Sequence, residues 1–126
     1  MKRIITAICI LVFLTAACFG SYAYIDTATS AVSDTLEQAR QALLDGSPDA
    51  AHERMEQGYA LWQTHYARLS ALVRHNEIDD AERLFQRARQ AAESGNAAET
   101  LLQLRELCAL LRHLPEMEKP TYANLI

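Results

Sequence analysis

Residues 74–84 read RHNEIDDAERL, which places His75, Glu77, Asp79 and Asp80 within a few positions of one another. Imidazole nitrogen and carboxylate oxygen are ligands that suit zinc and similar ions. The same residue types also suit a helix start. Asn76 can accept a backbone N–H as an N-cap, and the three acids would then face the positive end of the helix dipole. If the second reading holds, residue 76 begins a new helix and the chain reverses just before it.

The segment before this junction is a helix over about Pro48 to Arg74. His52, Met55, Tyr59, Trp62, Tyr66, Leu69 and Val73 recur at alternating steps of three and four, which is the spacing of a packing seam. The aromatic residues in it, Tyr59, Trp62 and Tyr66, are read as core, with Trp62 as the main anchor. Gly58 either bends this helix or lets a neighbour approach closely. His52 and His65 stand alone on the helix and are expected to be partly exposed.

After the junction, Ile78, Ala81, Phe85, Ala88 and Ala92 form the stripe of a third helix, which ends at ESGN. Asn96 with Glu99 three residues later has the pattern of a capping box for a fourth helix. Leu101, Leu104, Cys108, Leu111 and Leu114 face inward on it, with Leu107 and Leu110 widening the stripe. Cys108 is expected to be a buried thiol. Pro115 is expected to stop this helix and leave residues 115–126 as an extended tail. Upstream, Val32, Leu36, Ala39 and Leu43 mark a first helix from about Thr29 to Leu44. Gly46 suits its left-handed end, and Ser47 and Pro48 suit the start of the next. ARQALLDG at 39–46 and ARQAAESG at 88–95 make a faint repeat, so Gly46 and Gly95 are expected to serve the same role.

From Ile4 to Ile25 no residue is charged, a length sufficient to cross a hydrocarbon core as a helix. Lys2 and Arg3 precede it and Asp26 follows. The basic side is expected to stay cytoplasmic, with Tyr22 and Tyr24 at the outer headgroup layer. Two alternatives remain open: a cleaved signal peptide with Ser21 and Ala23 at the cleavage site, or a lipoprotein signal ending at Cys18. All three export residues 26–126. The predicted architecture is therefore all-α, with an N-terminal transmembrane helix over 1–25 and an antiparallel three- to four-helix bundle over 26–126. The stretch DTATSAVS (26–33) is expected to break the helix between the two.

The chain has 126 residues and a net charge of −4, with no basic stripe, which argues against nucleic-acid binding. Its three cysteines make no disulfide framework. Short turns make neighbouring helices antiparallel, so RHNE and RHLPE are expected at one end of the bundle and Gly46 and Gly95 at the other. His75, Glu77, Asp79, His113 and Glu116 could then converge.

At these residues the chain resembles a family of small membrane-anchored bacterial proteins, mostly from Firmicutes, grouped as a domain of unknown function (DUF4363). The resemblance covers nearly the whole chain. It rests on the basic N-terminus and apolar segment, Trp62 in the long helix, and the pair His75 and Glu77 at a helix start. LLRHLPE with His113 and Glu116, and the NLI ending at Asn124, complete it. Relatives tend to carry Lys, Ile and Asn where this chain is rich in Ala and Arg. The resemblance implies an architecture and a location, and no reaction.

Two functions compete. One is a non-enzymatic module on the cell membrane that binds a neighbouring membrane or envelope protein and needs no cofactor. The other is a metal- or small-ligand-binding envelope protein that uses His75, Glu77, His113 and Glu116. Neither histidine has a second ligand at i+4, and the alternative role of each is to meet the negative end of a helix. No nucleophile–base pair, HExxH or phosphate-cradling glycine loop is present, so no catalytic residue is assigned.

Overall fold

The computed structural model describes residues 1–117. Over these the chain forms four helices and no strand: α1 (Lys2–Leu44), α2 (Pro48–Leu72), α3 (His75–Glu93) and α4 (Ala97–Met117). The bundle half of α1 lies between α2 and α4, α4 also lies along α3, and of these neighbouring pairs α2 and α3 approach each other least closely. The all-α fold and bundle expected from periodicity are present.

The expected break at DTATSAVS does not occur, because α1 is one helix from Lys2 to Leu44. Threonine and serine are weak helix formers when their side chains compete for backbone groups. Here the competition is satisfied within the helix: Thr27 Oγ1 donates to the carbonyl of Ala23 (2.8 Å) and Thr29 Oγ1 to that of Ile25 (2.7 Å). The small residues face the bundle. Ile25, Ala28, Thr29, Val32, Ser33, Leu36 and Ala39 form one buried stripe against α2 and α4. Residues 2–20 are all exposed, so burial in the bundle begins partially at Ser21 and fully at Ile25. The last residues of the predicted 1–25 segment thus lie against the bundle, which gives α1 a bundle half comparable in length to α2 without a break.

Both glycine turns form as predicted, and they are built alike. Gly46 and Gly95 have φ of 80° and 73°. In the first turn the N–H of Ser47 bonds to Ala42 O (2.9 Å) and that of Gly46 to Leu43 O (3.2 Å). In the second, the N–H of Asn96 bonds to Ala91 O and that of Gly95 to Ala92 O, both at 3.1 Å. These are the paired bonds of the Schellman motif, in which only glycine enters the left-handed region without a steric penalty. Each turn then starts the next helix. Asn96 Oδ1 accepts the N–H of Glu99 (3.1 Å), half of the expected capping box. The other half is absent because the Asn96 N–H already closes the turn, and Glu99 instead accepts from Gln103 Nε2 (2.7 Å).

The junction at 73–77 differs from expectation. Helix α2 ends at Leu72, and Val73 (φ −112°, ψ 152°) and Arg74 (φ −58°, ψ 138°) form an extended link. Arg74 is the N-cap of α3, which begins at His75 and carries Glu77 in its first turn. Asn76 lies inside the helix and makes no cap bond, and His75 does not close α2. The reason is apolar: Val73 precedes the cap and Ile78 is the fourth helical residue, and both are buried in the core. That pairing is the hydrophobic staple, and it fixes where the helix starts despite the better side-chain cap two residues later.

At the other end of the chain, Pro115 lies within α4. It removes one backbone bond near the helix end, while its ring and Leu114 are buried. Residues 118–126, the remainder of the predicted tail including Asn124, lie outside the described residues.

Gly58 serves close packing and not bending. A Cβ there would stand 2.8 Å from Leu36 Cδ2 and 3.1 Å from Leu36 Cγ, and Leu36 is fully buried. Gly58→Ala gains helix propensity of about 1 kcal/mol but overpacks this contact, at a cost of about 1–3 kcal/mol. The variant is expected to be less stable by about 1 kcal/mol net, measured as a lower denaturant midpoint at unchanged slope.

Candidate functional site

The sequence-predicted polar cluster is not assembled. His75, Asp79, His113 and Glu116 are exposed and Glu77 is half-buried. Among the described residues these five make no hydrogen bond or ion pair with one another, and no three His, Cys, Asp or Glu side chains gather as a metal ion would require. Asp80 pairs with Arg83 one turn along its own helix (3.1 Å), with both side chains well exposed. Such pairs add little to stability.

The polar groups that do converge lie between α2 and α3. Trp62 is fully buried, and its Nε1 donates to Glu82 Oε2 (2.9 Å). The Tyr59 hydroxyl donates to Glu82 Oε1 (2.8 Å), and Gln86 Nε2 donates to both Glu82 Oε1 and the Tyr59 hydroxyl (3.1 Å each). One turn further, Arg89 grips Glu56 with Nε and an amino nitrogen at 2.9 and 3.4 Å. Its guanidinium carbon lies 4.5 Å from the centre of the Tyr59 ring. Beneath this polar row, Phe85 packs its ring against both Tyr59 (5.4 Å between centroids) and Trp62 (5.6 Å). Large side chains therefore fill the gap between α2 and α3, which is why their backbones stay apart. Helix α2 presents apolar rings with polar tips, and Glu82 supplies the acceptor those tips need.

Glu82 was not singled out in the sequence. It belongs to DDAERL, which reads as a solvated acidic face. The usable signal was on the partner helix: a buried tryptophan and a nearby tyrosine each need a hydrogen-bond partner. Tyr59 and Tyr66, read as core, are half-buried and packed against it, with Tyr66 edge-on to Trp62 (6.1 Å). His52 departs from the predicted seam. It is exposed, and Ala51 is buried in its place. Both His52 and Asp49 line an open, mostly apolar cavity of about 200 Å³ under the two glycine turns, with Leu43, Met55, Gly95 and Leu104.

A second polar contact joins α1 to α2: the Tyr24 hydroxyl and His65 Nδ1 share a hydrogen bond of 2.7 Å, with Arg68 over the Tyr24 ring. Helix α4 is tied to α1 by Cys108, whose Sγ donates to the carbonyl of Ser33 (3.8 Å). Burial, and next the Glu37 carboxylate, push the Cys108 thiol above its ordinary value. Burial and the bond to Glu82 do the same for the Tyr59 phenol. The Arg89 guanidinium is raised by its bond to Glu56.

Three outcomes test this arrangement. Trp62→Phe keeps an aromatic ring but loses the donor and some buried volume, and is expected to cost about 1.5–3 kcal/mol for the hydrogen bond to a charged group in addition to a cavity cost. In a Glu82→Ala background the same change should cost less, and circular dichroism of the double-mutant cycle reads the difference. Cys108 should react with a thiol reagent only as fast as the bundle opens. Because the fold holds both the Tyr59 phenol and the Cys108 thiol neutral, their contribution is complete below the ordinary values. It should fall as pH rises through roughly 9–10 and beyond, so Tyr59→Phe should flatten the alkaline decline of the melting temperature.

A family model described as a domain of unknown function (DUF4363) matches residues 19–125. No curated protein and no solved structure matches the chain. The matched stretch takes in the bundle half of α1, both glycine turns, the Trp62–Glu82 seam and all of α3 and α4, and with that extent of agreement the chain belongs to the DUF4363 family.

Proposed function

We propose that the chain is a single-pass membrane protein, with its N-terminus in the cytoplasm and its bundle outside, that serves as a non-enzymatic interaction module for a neighbouring membrane or envelope protein. The observation that carries this is the contrast along α1. An 18-residue window near its start has a mean hydropathy of 2.4, and none of it is buried in the protein. Ile4, Leu11 and Phe13 are 65, 65 and 72 % exposed. A core helix would be covered by its neighbours, whereas this segment needs lipid to cover it. Lys2 and Arg3 on one side and Asp26 on the other support the orientation.

The non-enzymatic part of this reading agrees with the perturbed groups: burial first of all raises the Tyr59 phenol and the Cys108 thiol, and the bond to Glu56 raises Arg89, so each shift is accounted for by the packing of the helices. Signal cleavage after Ala23 is a second reading with a specific basis. It would leave the bundle core, which starts at Ile25, intact.

Labelling intact cells with a membrane-impermeant thiol reagent tests the orientation. Ser47→Cys, at the exposed first glycine turn, should react before lysis. Reaction only after lysis overturns the orientation. The protein's mass decides between anchor and signal: the anchor reading expects residues 1–25 to be retained, and loss of residues 1–23 establishes cleavage.

A further inference from the structure

Helix α1 passes from its exposed apolar segment into the bundle with no linker, and this fixes the height of the bundle's lower end. The Tyr24–His65 hydrogen bond sets the register of α1 against α2. Because α2 runs antiparallel and continues from His65 to Leu72, its end lies about 10 Å further toward the start of α1 at 1.5 Å per residue. Ser21 and Tyr22 are half-buried and mark where α1 leaves the bundle, and Gly20 has open space around it. A hydrocarbon core of about 30 Å takes about 20 helical residues, which from Ile4 reaches about residue 23. The end of α2 therefore stands no higher than the outer boundary of the hydrocarbon, and the charge of the exposed Arg74 keeps it from sinking below the headgroups.

The residues at that level have the chemistry of the boundary. Tyr22 and Tyr24 are half-buried rings, and Arg68 and Arg74 are exposed cations. Leu72 is 37 % exposed at the tip. Tyrosine is enriched at the headgroup level, and arginine can bond phosphate in two places while its stem stays in apolar surroundings. Acids intervene, with Asp26 and Asp79 exposed and Glu77 half-buried, so this end has no strong net attraction for an anionic surface.

We propose that the α2–α3 end of the bundle, Leu72 to His75 with Arg68, is seated in the outer phospholipid headgroup layer. The arginines meet phosphates and Leu72 meets the top of the acyl chains. This rests on the anchor reading above. The seating is imposed by the unbroken α1 and not by lipid charge, so it holds on neutral phospholipid.

The test uses the full chain in phosphatidylcholine vesicles, with Cys9→Ser and Cys18→Ser so that Cys108, which is buried, is the only native thiol. A fluorophore is attached at His75→Cys, which leaves both arginines in place, or at Ser47→Cys in the opposite turn. The label at 75 should be quenched severalfold more strongly by headgroup nitroxide lipid than the label at 47, and less by aqueous iodide. Equal response at the two positions, with the chain retained on the vesicles through a high-pH wash, overturns the seating and leaves the anchor standing. Release of the chain by the wash overturns the anchor reading and the seating with it.

Discussion

One uninterrupted ladder of backbone hydrogen bonds, from Lys2 to Leu44, governs the rest of the molecule. The helix keeps its geometry while its surroundings change. Up to residue 20 every side chain is exposed, and from Ile25 onward one stripe is buried. That stripe is built from small and medium residues, Ala28, Thr29, Val32, Ser33 and Ala39 around Leu36, which permits two helices to lie against it. Gly58 extends the same logic to α2 by leaving room for Leu36. Helix α1 is thus the spine on which α2 and α4 are placed, and α3 completes the bundle from the far side.

The α2–α3 side works by the opposite rule. Where α1 gains contact through small residues, α2 and α3 are held apart by Trp62, Tyr59 and Phe85 and joined through their polar tips. A carboxylate that accepts from an indole, a phenol and an amide is well satisfied, and bonds to a charged acceptor are worth about 1.5–3 kcal/mol each when formed. The Glu56–Arg89 pair is more open, at 37 and 29 % side-chain exposure, and contributes less than its geometry suggests. The seam therefore depends mainly on Glu82. It fixes separation and register at the one face of the bundle where backbone proximity does not.

Much of the fold was legible because its signals are local. The stripes on α2, α3 and α4, the glycine turns and the buried thiol follow from spacing and turn chemistry within a few residues. The misreadings share a different cause: in each, a local preference was outweighed by burial. Asn76 is the better cap, yet Val73 and Ile78 in the core place the helix start at His75. DTATSAVS has weak helix formers, yet the hydroxyls of Thr27 and Thr29 bond within the helix, and the small volume of Ala28, Thr29 and Ser33 suits the packed face. Pro115 should end a helix, yet it is buried next to Leu114. The candidate site was the least legible part. Sequence proximity drew attention to His75, Glu77 and Asp79, whereas the interacting carboxylates, Glu82 and Glu56, are recognisable only once α2 and α3 are set side by side.

The faint repeat can be weighed on the same physical basis. Gly46 and Gly95 end their helices with the same pair of bonds, and Trp62 and Leu111, which stand at equal distances beyond them, are both fully buried. Two helical hairpins built on the same turn will share alanine-rich helix ends, a glycine and a buried residue at equal reach, whatever their origin. Turn chemistry is thus sufficient to produce the resemblance between ARQALLDG and ARQAAESG. What distinguishes the hairpins is what the turn does not dictate: the first carries the exposed apolar half of α1, and the second carries Glu82. The two meet through a tight apolar face at α1–α4 and an aromatic, polar-tipped face at α2–α3, so the bundle's specificity resides in the second face. An apolar stripe tolerates a shift of one turn, whereas Trp62 and Tyr59 can reach Glu82 in only one register.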